Sequence, residues 1–250
     1  METLLGNGLM ADAEPSGSEK RISIAIDGPA GAGKSTLAKK VAHELGYLYI
    51  DTGAMYRAAT WIALEKKVDV VHDQFKVIDL VRNANIELLP PDDSSQGKVR
   101  VIVNGADLSF IVRSRIITRF VSQVSAIGGV RQLLVEKQQK LANQGGVVMD
   151  GRDIGTVVLP GAELKIFLTA SPEVRAKRRL KDMQEMGQTA DLATITADII
   201  QRDHLDSTRA VSPLKKADDA VLIDTDQFTQ DEVCQKVLEL ARARISSSNH

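Results

Sequence analysis

The sequence predicts an α/β fold, a parallel sheet flanked by helices, and three observations predict it. Short strand-like runs alternate with amphipathic helical patterns, a glycine-rich loop joins the first strand to the first helix, and later buried strands end at polar or small residues. At 250 residues, with 43% apolar and 26% charged side chains, the chain is long enough for a sizeable core.

Residues 22 to 27, where Ile22, Ile24 and Ile26 alternate with Ser23, Ala25 and Asp27, suit a first strand. Leu37, Val41 and Leu45 then recur every four residues, with Lys39, Lys40 and Glu44 opposite and Gly46 placed to cap a helix. Tyr47 to Ile50 is a short second strand, and Asp51 to Gly53 opens a helix that runs towards Glu65, with Thr52 as its expected cap. From about residue 85 to 115 the pattern changes. Ile86, Leu88, a turn from Pro90 to Gly97, Val99, Val101, Val103, Asn104-Gly105 and Leu108 predict a small antiparallel β insertion. A helix follows from Val130 to Asn143, then a strand from Val147 ending at Asp150, and another from Leu164 to Leu168. Ala170 to Gly187 and Asp191 to Arg202 read as helices, Ala220 to Ile223 as the last strand, and Asp231 to Arg244 as a closing helix. Residues 1 to 20, with Pro15-Ser16-Gly17-Ser18, read as a disordered tail, and so does Ser246 to His250.

Charge narrows the function classes. Lys plus Arg total 32 and Asp plus Glu 33, a net charge of −1, so no basic field favours nucleic acid or a membrane surface, and neither partner is expected. No apolar run approaches the roughly 20 residues that cross a bilayer, and the first residues lack a signal-peptide pattern. The single cysteine, Cys234, suits a reducing compartment, so a cytoplasmic location is expected.

Gly28-Pro29-Ala30-Gly31-Ala32-Gly33-Lys34-Ser35 matches the P-loop pattern of a glycine, four residues, then Gly-Lys-Ser/Thr, and it lies between a strand and a helix. Its glycines let successive backbone N–H groups turn onto phosphates, and the helix dipole adds to their field. Lys34 is expected between the terminal phosphates, the Ser35 hydroxyl on Mg²⁺ directly or through water, and Thr36 beside them. A GTPase would also carry a guanine-reading Asn-Lys-x-Asp run, and none is present.

A kinase for a phosphorylated acceptor must hold two anions together, which needs cations beyond Lys34 at the strand ends. Arg57 lies one turn into the helix after the second strand, and Arg152 and Asp153 follow a later strand. Arg202, Asp206 and Arg209 share one face if helical. Taken singly, each arginine is more often a surface ion pair, but their joint placement after strands favours a phosphate site. Asp150 either holds Mg²⁺-bound water or orients Arg152. Residues 171 to 190 form a short helical lid in this reading: Arg175, Arg178 and Arg179 share a face that can close over the transferring phosphoryl group and exclude water.

The P-loop, Asp51-Thr52-Gly53-Ala54-Met55-Tyr56-Arg57, Asp150-Gly151-Arg152-Asp153-Ile154-Gly155-Thr156-Val157-Val158, and the run from Arg202 through Arg209 to Ser212-Pro213-Leu214 together resemble bacterial cytidylate kinases. The resemblance spans about Ile22 to Ile245 and implies a P-loop NTPase-type domain over residues 21–245. It implies a core (21–62, 146–170 and 210–245), an acceptor-binding part (about 63–145, with the β insertion) and the lid. It implies ATP as co-substrate with Mg²⁺, CMP or dCMP as acceptor, and a monomer. By the same resemblance Ser122, Arg131 and Asp153 read the cytosine ring, Arg57, Arg152 and Arg209 hold the acceptor phosphate, and Arg202 and Asp206 lie near the sugar. Thr52 joins the acceptor site, and the lid arginines correspond to Arg175 and Arg179. The competing readings are a kinase for UMP, AMP or dTMP, and a non-catalytic nucleotide switch. His43, His72, His204 and His250 show no paired ligand spacing, and Cys234, Tyr56 and Trp61 read first as packing.

Overall fold

A computed structural model describes residues 21–92, 95, 97–185, 187 and 189–247. The predicted tail over residues 1–20 lies outside them. Five strands make one parallel sheet: β1 (Ser23–Asp27), β2 (Leu48–Asp51), β6 (Val147–Gly151), β7 (Leu164–Thr169) and β8 (Val221–Asp224), in the spatial order β2-β6-β1-β7-β8. The α/β class is therefore as predicted. Registers Asp27↔Gly151 and Asp51↔Asp150 bring the carboxyl ends of the three neighbouring strands β1, β6 and β2 level, so that Asp27, Asp51 and Asp150 lie on one edge of the sheet.

The alternation in β1 sorts its side chains. Ile24 and Ile26 pack with Val148, Ile166, Leu168 and the buried stripes of α1 (Lys34–Leu45) and α8 (Gln230–Ser247), whereas Ala25 packs with Met149, Ile50 and Ile154 on the opposite side. Cys234 is buried with Val233, Val237 and Leu238 in the first layer, a packing residue as read. Gly46 ends α1 in the left-handed conformation, at φ +61°, as its position predicts.

Between β2 and β6 the chain builds a separate core from α2 (Thr52–Glu65), α3 (Gln74–Arg82), α4 (Arg115–Ala126), α5 (Gly128–Ala142) and an antiparallel sheet of β3 (Ile86–Leu89), β4 (Arg100–Val103) and β5 (Ala106–Asp107). The Asn104-Gly105 turn joins β4 to β5 with φ values of +49° and +84°, the left-handed pair a two-residue hairpin needs. Of the predicted Pro90–Gly97 turn, residues 93, 94 and 96 lie outside the described residues.

Several boundaries differ from expectation. The strand after α5 runs through Gly151, and the closing helix continues to Ser247, whose hydroxyl donates to the Ala243 carbonyl, so the expected tail from Ser246 begins as helix. Asp51, not Thr52, caps α2: its carboxylate accepts from the Ala54 N–H at 2.9 Å, and Thr52 is the first helical residue. The last two helices before β8, α6 (Pro172–Glu185) and α7 (Leu192–Thr208), form a hairpin with a small core of Ala176, Met183, Ile195 and Ile199. Because α7 extends to Thr208, Arg202 and Asp206 are one turn apart on it and Arg209 is the residue just beyond its end.

Candidate active site

The P-loop folds as its glycines require. Gly28, Gly31 and Gly33 have φ values of +147°, +79° and +92°, and a Cβ on Gly28 would collide with the Leu168 carbonyl oxygen of the neighbouring strand. Gly33 ends the loop as α1 begins at Lys34, so the backbone N–H groups of this first turn point into the crevice. Lys34 is buried and its Nζ donates to the Pro29 carbonyl at 2.7 Å. Burial lowers its affinity for a proton, and the nearby cations Arg152 and Arg202 lower it further against the pull of Asp150 and Asp27.

Beside the loop, Asp150 is buried at the end of β6 and accepts two hydrogen bonds, from Ser35 Oγ and from the Tyr49 hydroxyl, both at 2.8 Å. Its backbone carbonyl accepts from Thr52 Oγ1 at 2.7 Å. Its carboxylate makes no bond to Arg152 among the described residues, so of the two readings of Asp150 the geometry favours the one beside Ser35. A hydroxyl and a carboxylate at hydrogen-bond distance form a hard oxygen pair of the kind Mg²⁺ takes together with substrate phosphates. The donor chemistry therefore fits that ion, and no group of three or more His, Cys, Asp or Glu suited to a metal occurs among the described residues.

The segment after Asp150 is tied back to β1. Asp27 accepts from the N–H groups of Ile154 and Gly155 at 2.8 and 2.7 Å, capping a single π-helical turn over Ile154–Val158. Burial raises the Asp27 carboxyl to about 6, although these two N–H bonds favour its ionised form.

The arginines gather around this edge. Arg57 pairs with Asp51 at 3.1 Å and Arg152 with Asp206 at 2.8 Å. Asp153 is buried between two guanidinium groups, with Arg131 bonded to one oxygen and Arg209 3.5 Å from the other. Arg131 is itself buried, donates to the Ser125 carbonyl at 3.1 Å and lies 5.2 Å over the Tyr56 ring, so Tyr56 supports this cluster besides packing in the core. Arg202 differs from all of these. It makes no ion pair among the described residues, its Nε is buried without a hydrogen-bond partner, and its pKa is lowered to about 10 by burial and by Arg152, with Arg57 and Arg179 adding to the repulsion that Asp206 opposes. Arg57 Nε and Arg209 Nη2 are likewise buried without a hydrogen-bond partner. Such groups, drawn together without enough opposite charge, form a ready receptor for an anion.

Ser122 lies half-buried on α4, with its carbonyl engaged by Ser125 Oγ at 3.0 Å. The three arginines of α6 share a helix face but part in their contacts. Arg175 is buried and donates to the Ala30 carbonyl of the P-loop at 3.0 Å, to Ala170 at 2.9 Å and to Asp203 of α7 at 2.6 Å. Arg178 donates to Thr225 through both terminal nitrogens. Arg179 is exposed and makes no ion pair among the described residues. Four contributors escaped sequence reasoning: Asp27, Tyr49, Asp51 and Asp203. Of these, only Asp51 carried a usable signal, an acidic residue just before a helical pattern.

Residues 24–243 match the family model described as Cytidylate kinase. The chain belongs to the cytidylate kinase family. Curated relatives agree: cytidylate kinases of Bacillus cereus (strain G9842) and Geobacillus sp. (strain WCH70) are each 52% identical, over 89% and 90% of this chain and 96% and 98% of theirs. That of Lactobacillus gasseri is 52% identical over 89% of this chain and 95% of its own. Among solved structures, a shikimate kinase from Bacteroides thetaiotaomicron aligns with a TM-score of 0.45 at 16% identity, covering 90% of this chain and 99% of that one. As a cytidylate kinase family member the chain is a nucleoside monophosphate kinase, with small nucleotides as its substrates. No described helix is long and apolar enough to cross a membrane.

Proposed function

We propose that the protein transfers the γ-phosphoryl group of ATP to the 5′-phosphate of CMP or dCMP. The observation that carries this reading is Arg202, a half-buried cation whose Nε is buried without a hydrogen-bond partner and which makes no ion pair among the described residues, with Arg152, Arg57 and Arg179 repelling it and Lys34 feeling its charge. One anion on the glycine loop and a second on Arg57 and Arg152, with Arg202 beside them, would meet over the same sheet edge.

In this reading the loop from Gly28 to Thr36 cradles the β- and γ-phosphates with its N–H groups and Lys34 spans them. Ser35 and Asp150 would hold Mg²⁺, which when bound would supply positive charge against the phosphates of ATP. Arg57, Arg152 and Arg209 orient the acceptor phosphate so that one of its oxygens lies in line with the γ-phosphorus. That oxygen forms the new P–O bond as the bond to the β-phosphate oxygen breaks, giving CDP or dCDP and ADP. The acceptor is already ionised near neutral pH, so positioning and charge compensation do the work and no base is required. Arg152 and Arg179 face the charge that spreads over the transferring group. Arg175 contributes by fixing the loop to the α6–α7 hairpin, consistent with its bond to Ala30. Arg202 and Asp206 lie beside the sugar, with Thr52 at the wall of the acceptor site.

Base choice would fall to Ser122, Arg131 and Asp153. Cytosine offers an amino donor and N3 and O2 acceptors, which match a carboxylate or hydroxyl and a guanidinium. We read residues 63–145, with the β insertion, as the acceptor-binding part and residues 171–190, which include α6, as the lid. The separate apolar clusters of these regions support relative movement.

Arg202→Met tests the reading by setting stability against binding. Removing a half-buried cation that makes no ion pair among the described residues from among like charges is expected to raise the melting temperature of the free protein while weakening CMP binding, measured calorimetrically, by about tenfold or more. Equal CMP affinity in the two proteins would remove Arg202 from the acceptor site.

A further inference from the structure

The geometry points to Tyr49 as a positioning residue that sets the Ser35–Asp150 oxygen pair for its metal ion, an inference that rests on the phosphotransfer reading above. Tyr49 is paired in register with Val148, one strand over. Asp150 lies two residues further along the same strand and on the same face, the diagonal distance that an aromatic side chain spans. The phenol donates to Asp150 Oδ1 at 2.8 Å, while Oδ2 accepts from Ser35 Oγ at 2.8 Å. With each oxygen assigned one donor, the carboxylate cannot turn about its Cβ–Cγ bond without losing both bonds.

The consequence reaches Ser35. Its hydroxyl proton is committed to Asp150, so what the Ser35 oxygen has left to offer a cation is its lone pairs. A serine that could rotate would present either a proton or a lone pair, and only the lone pair ligates a cation. The Tyr49 ring is itself held, packed at the margin of the α1 layer and with the Lys39 ammonium 5.9 Å from its centroid. Its hydroxyl, not its bulk, is then the part that acts on the site.

Tyr49→Phe keeps the ring and removes only that hydroxyl. Binding of Mn²⁺, followed by its electron paramagnetic resonance signal in the presence of a non-hydrolysable ATP analogue, is expected to weaken about tenfold. The Mg²⁺ concentration for half-maximal CMP-dependent turnover should rise to a similar degree, while CMP affinity without metal stays as in the unaltered protein. A lower melting temperature with unchanged Mn²⁺ binding and unchanged Mg²⁺ requirement assigns Tyr49 a packing role and overturns the inference. The Mn²⁺ titration needs no turnover. If the unaltered protein transferred no phosphoryl group to CMP, the phosphotransfer reading would fail by itself, and the Mn²⁺ comparison would still decide for or against Tyr49.

Discussion

Asp27 stands immediately before the P-loop and holds the backbone of Ile154 and Gly155, so one carboxylate links the phosphate cradle to the segment that carries Arg152 and Asp153. Its raised pKa makes a signed prediction. A carboxyl whose folded pKa lies near 6 instead of 3.8 binds protons more tightly in the native than in the unfolded chain. Its contribution to stability is then greatest at low pH and declines as pH rises from about 4 to about 6, by on the order of 3 kcal/mol, and is constant above that window. Asp206, held below the usual carboxylate range because Arg152 and Arg202 outweigh its burial, works in the opposite sense, so the two must be separated. Urea unfolding of the unaltered protein and Asp27→Asn in parallel isolates the first effect. The stability difference should move against the unaltered protein between about pH 4 and 6.5, and a difference independent of pH contradicts the assignment. No sequence pattern announces this residue: an aspartate at the end of a strand acquires its meaning only when β6 is seen to lie next to β1. Lys34 and Ser35 are the contrary case, since the P-loop is a local chain geometry written in consecutive residues.

At the scale of elements, the glycines of the loop differ in what they tolerate. A methyl group on Gly28 meets the Leu168 backbone, and β1 and β7 would have to separate to admit it, whereas one on Gly46 meets nothing within 4 Å and brings only left-handed strain. Gly28→Ala is expected to lose about 1–3 kcal/mol more stability than Gly46→Ala in chemical denaturation. Equal losses would show that the strands yield easily at that point. Glycine position was readable from sequence because a motif fixed it, and the strand and helix order around it was readable from apolar periodicity. The sequence pattern does not predict the helices α3 and α4. Ile117, Val121 and Val124 recur at helical spacing, but α4 is rich in β-branched residues and follows a run of strands, so its local preference and its pattern disagree. The sequence shows the α5 pattern only from Val130, two residues after the helix begins at Gly128, because Gly128 and Gly129 argue against a helix. Gly129 is there for closeness instead, as a Cβ would lie 2.6 Å from Ile78 Cδ1 of α3. In α6 the periodicity puts Arg175, Arg178 and Arg179 on one face, yet periodicity names no partner, and their contacts with Ala30, Thr225 and solvent depend on how α6, packed on α7, lies beside the P-loop and the residue that follows β8.

Across the whole molecule, one sheet edge collects groups from every part of the chain: Lys34 and Ser35 from α1, Arg57 from α2, Asp150 and Arg152 from β6 and its turn, Arg202 and Asp206 from α7. Their sequence separation explains how much could be foreseen. Each arginine could be placed after a strand or on a helix, but that Arg202 makes no ion pair among the described residues, while Arg152 and Arg209 do, is a property of the assembled charges. An edge that joins two anions, one on the glycine loop and one on the arginines, must turn over only when both are present. ADP release from ATP, measured across all common nucleoside monophosphates with and without Mg²⁺, reads this directly. CMP and dCMP should each stimulate release strongly, UMP, AMP and dTMP weakly, and the stimulation should vanish without the metal ion. ADP released at the same rate with or without any monophosphate would contradict it.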